Sequence, residues 1–257
     1  MAKSKHYYIR KTHRYLGVIL GLQFLMWTIG GLYFSWSDID EIHGDFQKKS
    51  APLLSAGVPL VSPATVIDNI KQTRAIDSII SLQLIEVLGK PFYQVRCLNN
   101  SSHKPVQTVT QLADATTGML RGPLTKDEAV AIAKTRFNGD PKIKSVEYLT
   151  ATNSHHEYRE SPLPAYAVTF EYPLQTTVYV ASELGTVQKF RNSKWRVFDF
   201  LYMMHTMDYA SRDNFNNTLL RIFSLFGLVT VVSGFALYFI SSKKLKRFRI
   251  FDIVRFH

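Results

Sequence analysis

Three kinds of residue in this chain could do chemistry: histidines beside long apolar runs, a histidine pair next to a glutamate, and a single thiol. His13 opens an apolar stretch in which Gly17, Gly21, Thr28, Gly31 and Ser35 recur at helical spacing and so share one face. Two uses suit such a stripe. Gly17-x-x-x-Gly21 is the small-x-x-x-small pattern that lets helix backbones approach closely in lipid, and a smooth face beside a histidine is also a slot for a flat cofactor with an axial ligand. Gln23 falls on a different face, where a hydrogen bond to a partner helix is its expected use. His155-His156-Glu157 has metal-binding residue types. Adjacent histidines in a strand point to opposite faces, however, and no third ligand stands at metal-site spacing, so the stretch reads as a polar hairpin loop and no metal site is assigned. Cys97, the one cysteine, rules out an intrachain disulfide and reads as a small buried residue in a strand. Asp38, Asp40 and Glu41 read as solvated charges at a membrane exit. No Ser/His/Asp or Cys/His nucleophile pattern stands out, and no catalytic residue is assigned.

The element that must position His13 is a helix without charge from Tyr15 to Ser37, 23 residues. At 1.5 Å per residue that crosses a hydrocarbon layer of about 30 Å. Its core is too long for a signal-peptide apolar region and no small-x-small cleavage site follows, so it is expected to remain as an anchor. A second uncharged run, Ile222–Ser242, carries its own stripe of Ser224, Gly227, Gly234 and Ser241. Between them, residues 192–215 contain KWRVFDFLYMMHTMDY, an amphipathic, aromatic helix expected to lie along the membrane surface.

The net charge of +11 is not spread over a nucleic-acid-binding face. Residues 1–14 carry five Lys/Arg and no acid, and residues 243–257 carry six against Asp252, which leaves the long middle nearly neutral. Basic flanks beside apolar helices are a topology signal: both ends stay on the cytoplasmic side and the central segment lies outside. Nucleic acid is therefore not an expected partner; the lipid bilayer is.

The central segment repeats. Each copy opens with a capped helix: Ser62-Pro63 in the first, Thr125 followed by Asp127 and Glu128 in the second. Three strand-like runs follow each helix, and both copies close on a turn that needs glycine, Asp114–Gly118 and Ser182–Gly185. The resulting division is a basic arm 1–14, a span 15–37, a linker 38–61, units 62–122 and 123–191, an interfacial segment 192–215, a second span 216–242 and a basic tail 243–257. The fold class is an α+β membrane protein, with two transmembrane helices flanking a pair of extracytoplasmic units of one helix and one antiparallel three-stranded sheet each.

HRYLGVILG at 13–21, the strand ends ADATTGML and YVASELGTV, and DFLYMMHTMD at 199–208 together resemble the PepSY-associated transmembrane family over nearly the whole chain. The resemblance implies PepSY-like units of the kind that regulate or inhibit partners outside the cytoplasm, in the inner membrane. It also implies a second possibility, a haem-bearing reductase or subunit that passes electrons to ferric-siderophore-type complexes and serves iron uptake. His13 and His205 match the family's membrane histidines, and His43 exits on the same side as His205; these three are the candidate axial ligands of a haem b. Their placement at opposite ends of a span prevents His13 and His205 from sharing one haem, so a homodimer or another membrane protein would complete each site. Two apparent spans, where haem-bearing members carry more, and the lack of a Gly-rich nucleotide fingerprint leave enzymatic activity open.

Overall fold

A computed structural model describes residues 5–99 and 107–241. The first four residues of the basic arm, the turn at 100–102 with His103, and the basic tail from 243 lie outside the described residues. The chain divides into two compact bodies: a helical unit of residues Met1–Trp36 and Phe198–His257, and a globular unit, Ser37–Val197.

The helical unit contains α1 (Lys5–Trp36), the later turns of α5 (Ser193–Thr206) and α6 (Thr218–Ser241). Stretches His13–Trp36 and Thr218–Phe239 are apolar enough and long enough to cross a membrane. Val18, Ile19, Leu22, Leu225, Leu228 and Phe235 are each more than half exposed. A helix pair that turns so much aliphatic surface outward has a hydrocarbon environment as its natural solvent.

The globular unit begins with α2 (Ile39–His43) and a single 3-10 turn, Asp45–Gln47. Two helix–sheet modules follow. In the first, α3 (Pro63–Thr73) precedes β1 (Ser78–Val87), β2 (Lys90–Asn99), β3 (Gln107–Asp114) and β4 (Leu120–Arg121); in the second, α4 (Lys126–Arg136) precedes β5 (Ile143–Leu149), β6 (Ala165–Phe170), β7 (Thr177–Ala181) and β8 (Thr186–Arg191). The helix starts follow the sequence signals. Ser62 accepts from Ala64 N–H with Pro63 behind it, and Thr125 with Glu128 closes a full capping box.

Each sheet has four antiparallel strands in sequential order, one more than the three expected. The glycine turns do not close the modules. Asp114–Gly118 leads into the two-residue β4, and Ser182–Gly185 is a hairpin that splits one long apparent strand into β7 and β8. The extra strands escape a reading by alternation because one is two residues long and the other continues the pattern of its neighbour.

α3 covers one face of the first sheet through Val66 and Ile70 on Tyr93, Val95, Cys97 and Ala113, so Cys97 is a buried core residue. The opposite face is divided. Its apolar half, Val87 and Phe92, joins a larger core with Ala129, Ile132 and Phe137 from α4 and with Val168, Phe170, Val178, Val180 and Phe190 of the second sheet. Phe137 packs on Phe170 and Phe190 with ring centroids 4.6 and 6.4 Å away. Each such ring removed from water contributes about 1.5–3 kcal/mol.

The two modules meet at the Ser182–Gly185 turn. The Gln94 amide of the first sheet donates to Leu184 O at 2.6 Å, and within the second module Leu124 N–H donates to Ser182 O at 2.8 Å and fixes the same turn. Gly185 has φ +71, and a Cβ there would stand 3.0 Å from Leu112 and 3.2 Å from Val87; at Gly89, φ +80, a Cβ would meet nothing. Gly185→Ala should therefore cost about 2–4 kcal/mol, strain and overlap together, against about 1–2 for Gly89→Ala, strain alone. Urea unfolding of the detergent-solubilised variants followed by circular dichroism measures the difference; equal losses would refute the close approach.

Candidate functional site

The helical unit holds His13 and His205. The His13 Nδ1 and the Ser233 hydroxyl of α6 are 2.9 Å apart, and Ser233 also donates to Thr230 O at 2.8 Å. A hydroxyl has one proton, so with that proton on Thr230 O it accepts from His13 Nδ1–H. A neutral His13 then carries its lone pair on Nε2, the tautomer in which an imidazole can ligate.

His205 stands elsewhere. Its ring packs 5.7 Å from Trp27 and 6.2 Å from Phe34, in an aromatic row that continues through Phe198, 5.0 Å from Phe34, to Tyr202. Trp27 lies fourteen positions beyond His13 on the same helix, roughly 21 Å along its axis. One chain therefore offers one histidine at each of two levels, His13 at the start of the span and His205 beside Trp27, near its middle. His43, exposed at the end of α2, belongs to the globular unit.

α1 faces its neighbours with Leu16, Leu20, Gln23, Trp27, Gly30 and Phe34. The small-residue stripe lies around the helix from this face: a Cβ at Gly17, Gly21 or Gly31 would meet nothing within 4 Å, and Thr28 and Ser35 are exposed with their hydroxyls returned to Phe24 O and Leu32 O. On α6, Gly227 and Gly234 do face α1, lying against Phe24 and His13, while Ser224 is exposed. Close approach is thus made by glycine on α6 and a large side chain on α1.

Gln23 and Trp27 decide which face turns inward. The Gln23 amide donates to Met204 O and the Trp27 indole to His205 O, both at 2.9 Å, and Asn217 Nδ2 donates to Thr206 O at 2.8 Å. These carbonyls belong to the last turn of α5, which has no intrahelical partners for them. Side chains from α1 and from the loop before α6 cap that helix end. Asp199 pairs with Arg212 just beyond it.

In the globular unit, the polar half of the first sheet's inner face opens as a cleft of about 450 Å³. Gln83, Gln94, Arg96, Thr108 and Thr110 form its floor, and Pro162, Leu163, Pro164, Glu183, Leu184, Thr186 and Gln188 close it from the second module. Nearby, the 150–164 connection is held by a charged cluster that sequence reading missed. Arg196 Nε and Nη2 donate to the two Glu157 carboxylate oxygens at 2.7 and 2.9 Å, and the Tyr179 hydroxyl donates to Glu157 at 2.7 Å. Burial, then the Glu157 charge, pushes the Tyr179 phenol well above its ordinary range, so it stays a donor. Arg191 stacks on Trp195 with 3.9 Å to the ring centroid. The signal for this cluster was Glu157 itself, read with its histidine neighbours as loop; its partner stands 39 positions later. His155 is exposed and His156 Nδ1 accepts from Tyr158 N–H at 3.0 Å, and among the described residues no three His, Cys, Asp or Glu side chains converge as metal ligands.

Two apolar helices thus flank, in chain order, a repeated helix–sheet module and an aromatic, histidine-bearing helix. A family model described as "PepSY-associated TM region" matches residues 10–255. The chain belongs to this family. It is a membrane protein by that membership and by its two apolar helices. Neither a curated protein nor a solved structure matches it.

In this family member Asp208 closes the turn after the His205 helix, accepting from Ala210, Ser211 and Asn214 N–H and from the Ser211 hydroxyl. Burial raises its pKa, but these hydrogen bonds outweigh it and hold the carboxyl down to about 2, below the ordinary 3.8. Its ionised form adds stability that is complete above the ordinary value and drains away as pH falls toward about 2. Asp208→Asn should lower the melting temperature at neutral pH and flatten its fall between pH 4 and about 2, which thermal scans in detergent across that range will show.

Proposed function

We propose that this chain is a two-pass PepSY protein of the inner membrane, with both basic ends in the cytoplasm and the globular unit in the periplasm. There it acts as an accessory or regulatory binding module for a membrane or periplasmic partner. The observation that carries this reading is the polar cleft. Its floor and walls are amides, hydroxyls, Arg96 and Glu183, groups suited to hold a polar chain through many hydrogen bonds. The concentration of Lys/Arg at both ends supports the orientation.

A photo-reactive residue at Gln188, inside the cleft, should crosslink one discrete partner in intact cells. The same residue at Lys71, on the exposed side of α3, should not. Equal patterns from both positions would overturn the module reading. A cysteine at the exposed Glu160 should react with a membrane-impermeant maleimide from the periplasmic side, since the native Cys97 is buried; labelling only after lysis would reverse the topology.

The second reading is favoured by one observation, the 2.9 Å contact between His13 Nδ1 and the Ser233 hydroxyl, which engages one ring nitrogen and leaves Nε2 as the other. A partner carrying an orienting hydrogen bond on the other ring nitrogen is the arrangement typical of imidazole ligands. In a homodimer, two copies of His13 and two of His205 would complete two haem b sites, with the outward stripe of Gly17, Gly21 and Gly31 between the copies; haem would supply one-electron transfer toward a ferric complex. Protein from haem-replete cells should then show a Soret band that His13→Ala or His205→Ala diminishes. A colourless wild-type protein excludes this reading.

A further inference from the structure

The first sheet is left open along one edge. β3 pairs with β2 over its whole length but with β4 only at Leu112 and Ala113. Ala115 N–H donates to Pro91 O on the β2 side, whereas Asp114 N–H donates to Met119 O on the β4 side. Backbone groups of an antiparallel strand alternate sides, so the N–H and C=O of Leu112, Thr110 and Thr108 all point toward β4. Leu112 meets Arg121 there. The residue that would continue the ladder opposite Thr110 is Pro123, which has no N–H to donate, and the chain leaves to pair Leu124 with Ser182. Among the described residues nothing pairs with the outward backbone groups of Thr108 and Thr110.

The open edge is also electrostatically marked. Arg96 lies opposite Thr110 in the β2 register and faces the polar cleft. Arg74, at the end of α3, lines a groove along the edge with Thr110, Gln111, Arg121 and Glu183. Arg121 is already paired with Glu128 at 2.8 Å. Arg96 and Arg74 are exposed and have no carboxylate within salt-bridge distance among the described residues. Glu183 is the one acidic group lining the groove. A strand laid on this edge sends alternate side chains to the Arg96 face and to the α3 face that carries Arg74.

We propose that β3 accepts an extended, acidic segment of a partner protein as an added strand, through the backbone of Thr108 and Thr110 and the guanidiniums of Arg96 and Arg74. This rests on the binding-module reading and names the site and the chemistry of its partner. Main-chain hydrogen bonds supply affinity in such strand addition, and the flanking side chains supply selectivity. The edge of β1 is the competing edge of the same sheet, but its exposed side chains include the apolar Ile79, Ile80 and Leu84.

The test uses the full-length protein in detergent and three fluorescein-labelled octapeptides: alternating Val-Glu, alternating Val-Lys, and Val-Glu with N-methyl groups on alternate residues. The Val-Glu peptide should bind saturably and the Val-Lys peptide at least tenfold more weakly. N-methylation should cost roughly tenfold for the two or so backbone bonds it removes. Amide exchange should slow at 107–111 and not at 78–87. The double change Arg74→Glu, Arg96→Glu, on the exposed surface, should reverse the preference between Val-Glu and Val-Lys. No binding, protection at 78–87 in place of 107–111, indifference to N-methylation, or an unchanged preference in the double variant each overturns the proposal. A partner crosslinked at Gln188 in cells with 107–111 still unprotected would overturn this site and leave the binding-module reading intact.

Discussion

The separation between the two sheets is set at Gly185. Its positive φ and the 3.0 Å that a Cβ would leave to Leu112 bring the hairpin turn of the second module flush against the first sheet. That approach lets Leu184 O accept from the Gln94 amide of the first sheet. It also places Val87 and Phe92 within the core built around Phe137, Phe170 and Phe190. Because the turn docks on only half of the inner face, the polar half is left as a cleft. Core and cleft are thus two results of a single contact, and the chemistry of the face changes where the contact stops.

The helical unit rests on a different kind of constraint. Two apolar helices in lipid gain little from apolar contact with each other, since lipid tails are equally apolar. Here the specific contacts are polar: the His13–Ser233 hydrogen bond between the two helices, and the terminal carbonyls of α5, which receive Gln23, Trp27 and Asn217. The small residues on α6 serve this arrangement by giving room to Phe24 and His13. The outward stripe on α1 plays no part in it within one chain.

Much of the fold was legible in local signals. The Ser62-Pro63 start, the Thr125–Glu128 box and the turn glycines at 118 and 185 act over a few residues, and the structure uses each of them. What escaped reading depends on partners far away in sequence. Helical spacing identified a small-residue face on α1, but which face turns inward was decided by carbonyls about 180 positions later. Glu157 looked like part of a polar loop because Arg196 and Tyr179 come from elements beyond the hairpin. His13 was found by its place at the start of a span, yet its hydrogen-bond partner, Ser233, stands on the other helix 220 positions later. The four-stranded sheets differ from the three expected because a two-residue strand has no period to detect.

The capping of α5 carries a consequence for biosynthesis. Gln23 and Trp27 leave the ribosome some 180 residues ahead of Met204 and His205, the groups they will bond. Through the whole synthesis of the globular unit, the first helix holds an amide and an indole N–H whose eventual partners do not yet exist. Any surrogate that satisfies them in the interval, water at the interface, a lipid carbonyl or an insertase, must later be given up. Assembly therefore includes an exchange of partners around the first helix, which cannot precede synthesis of the segment between.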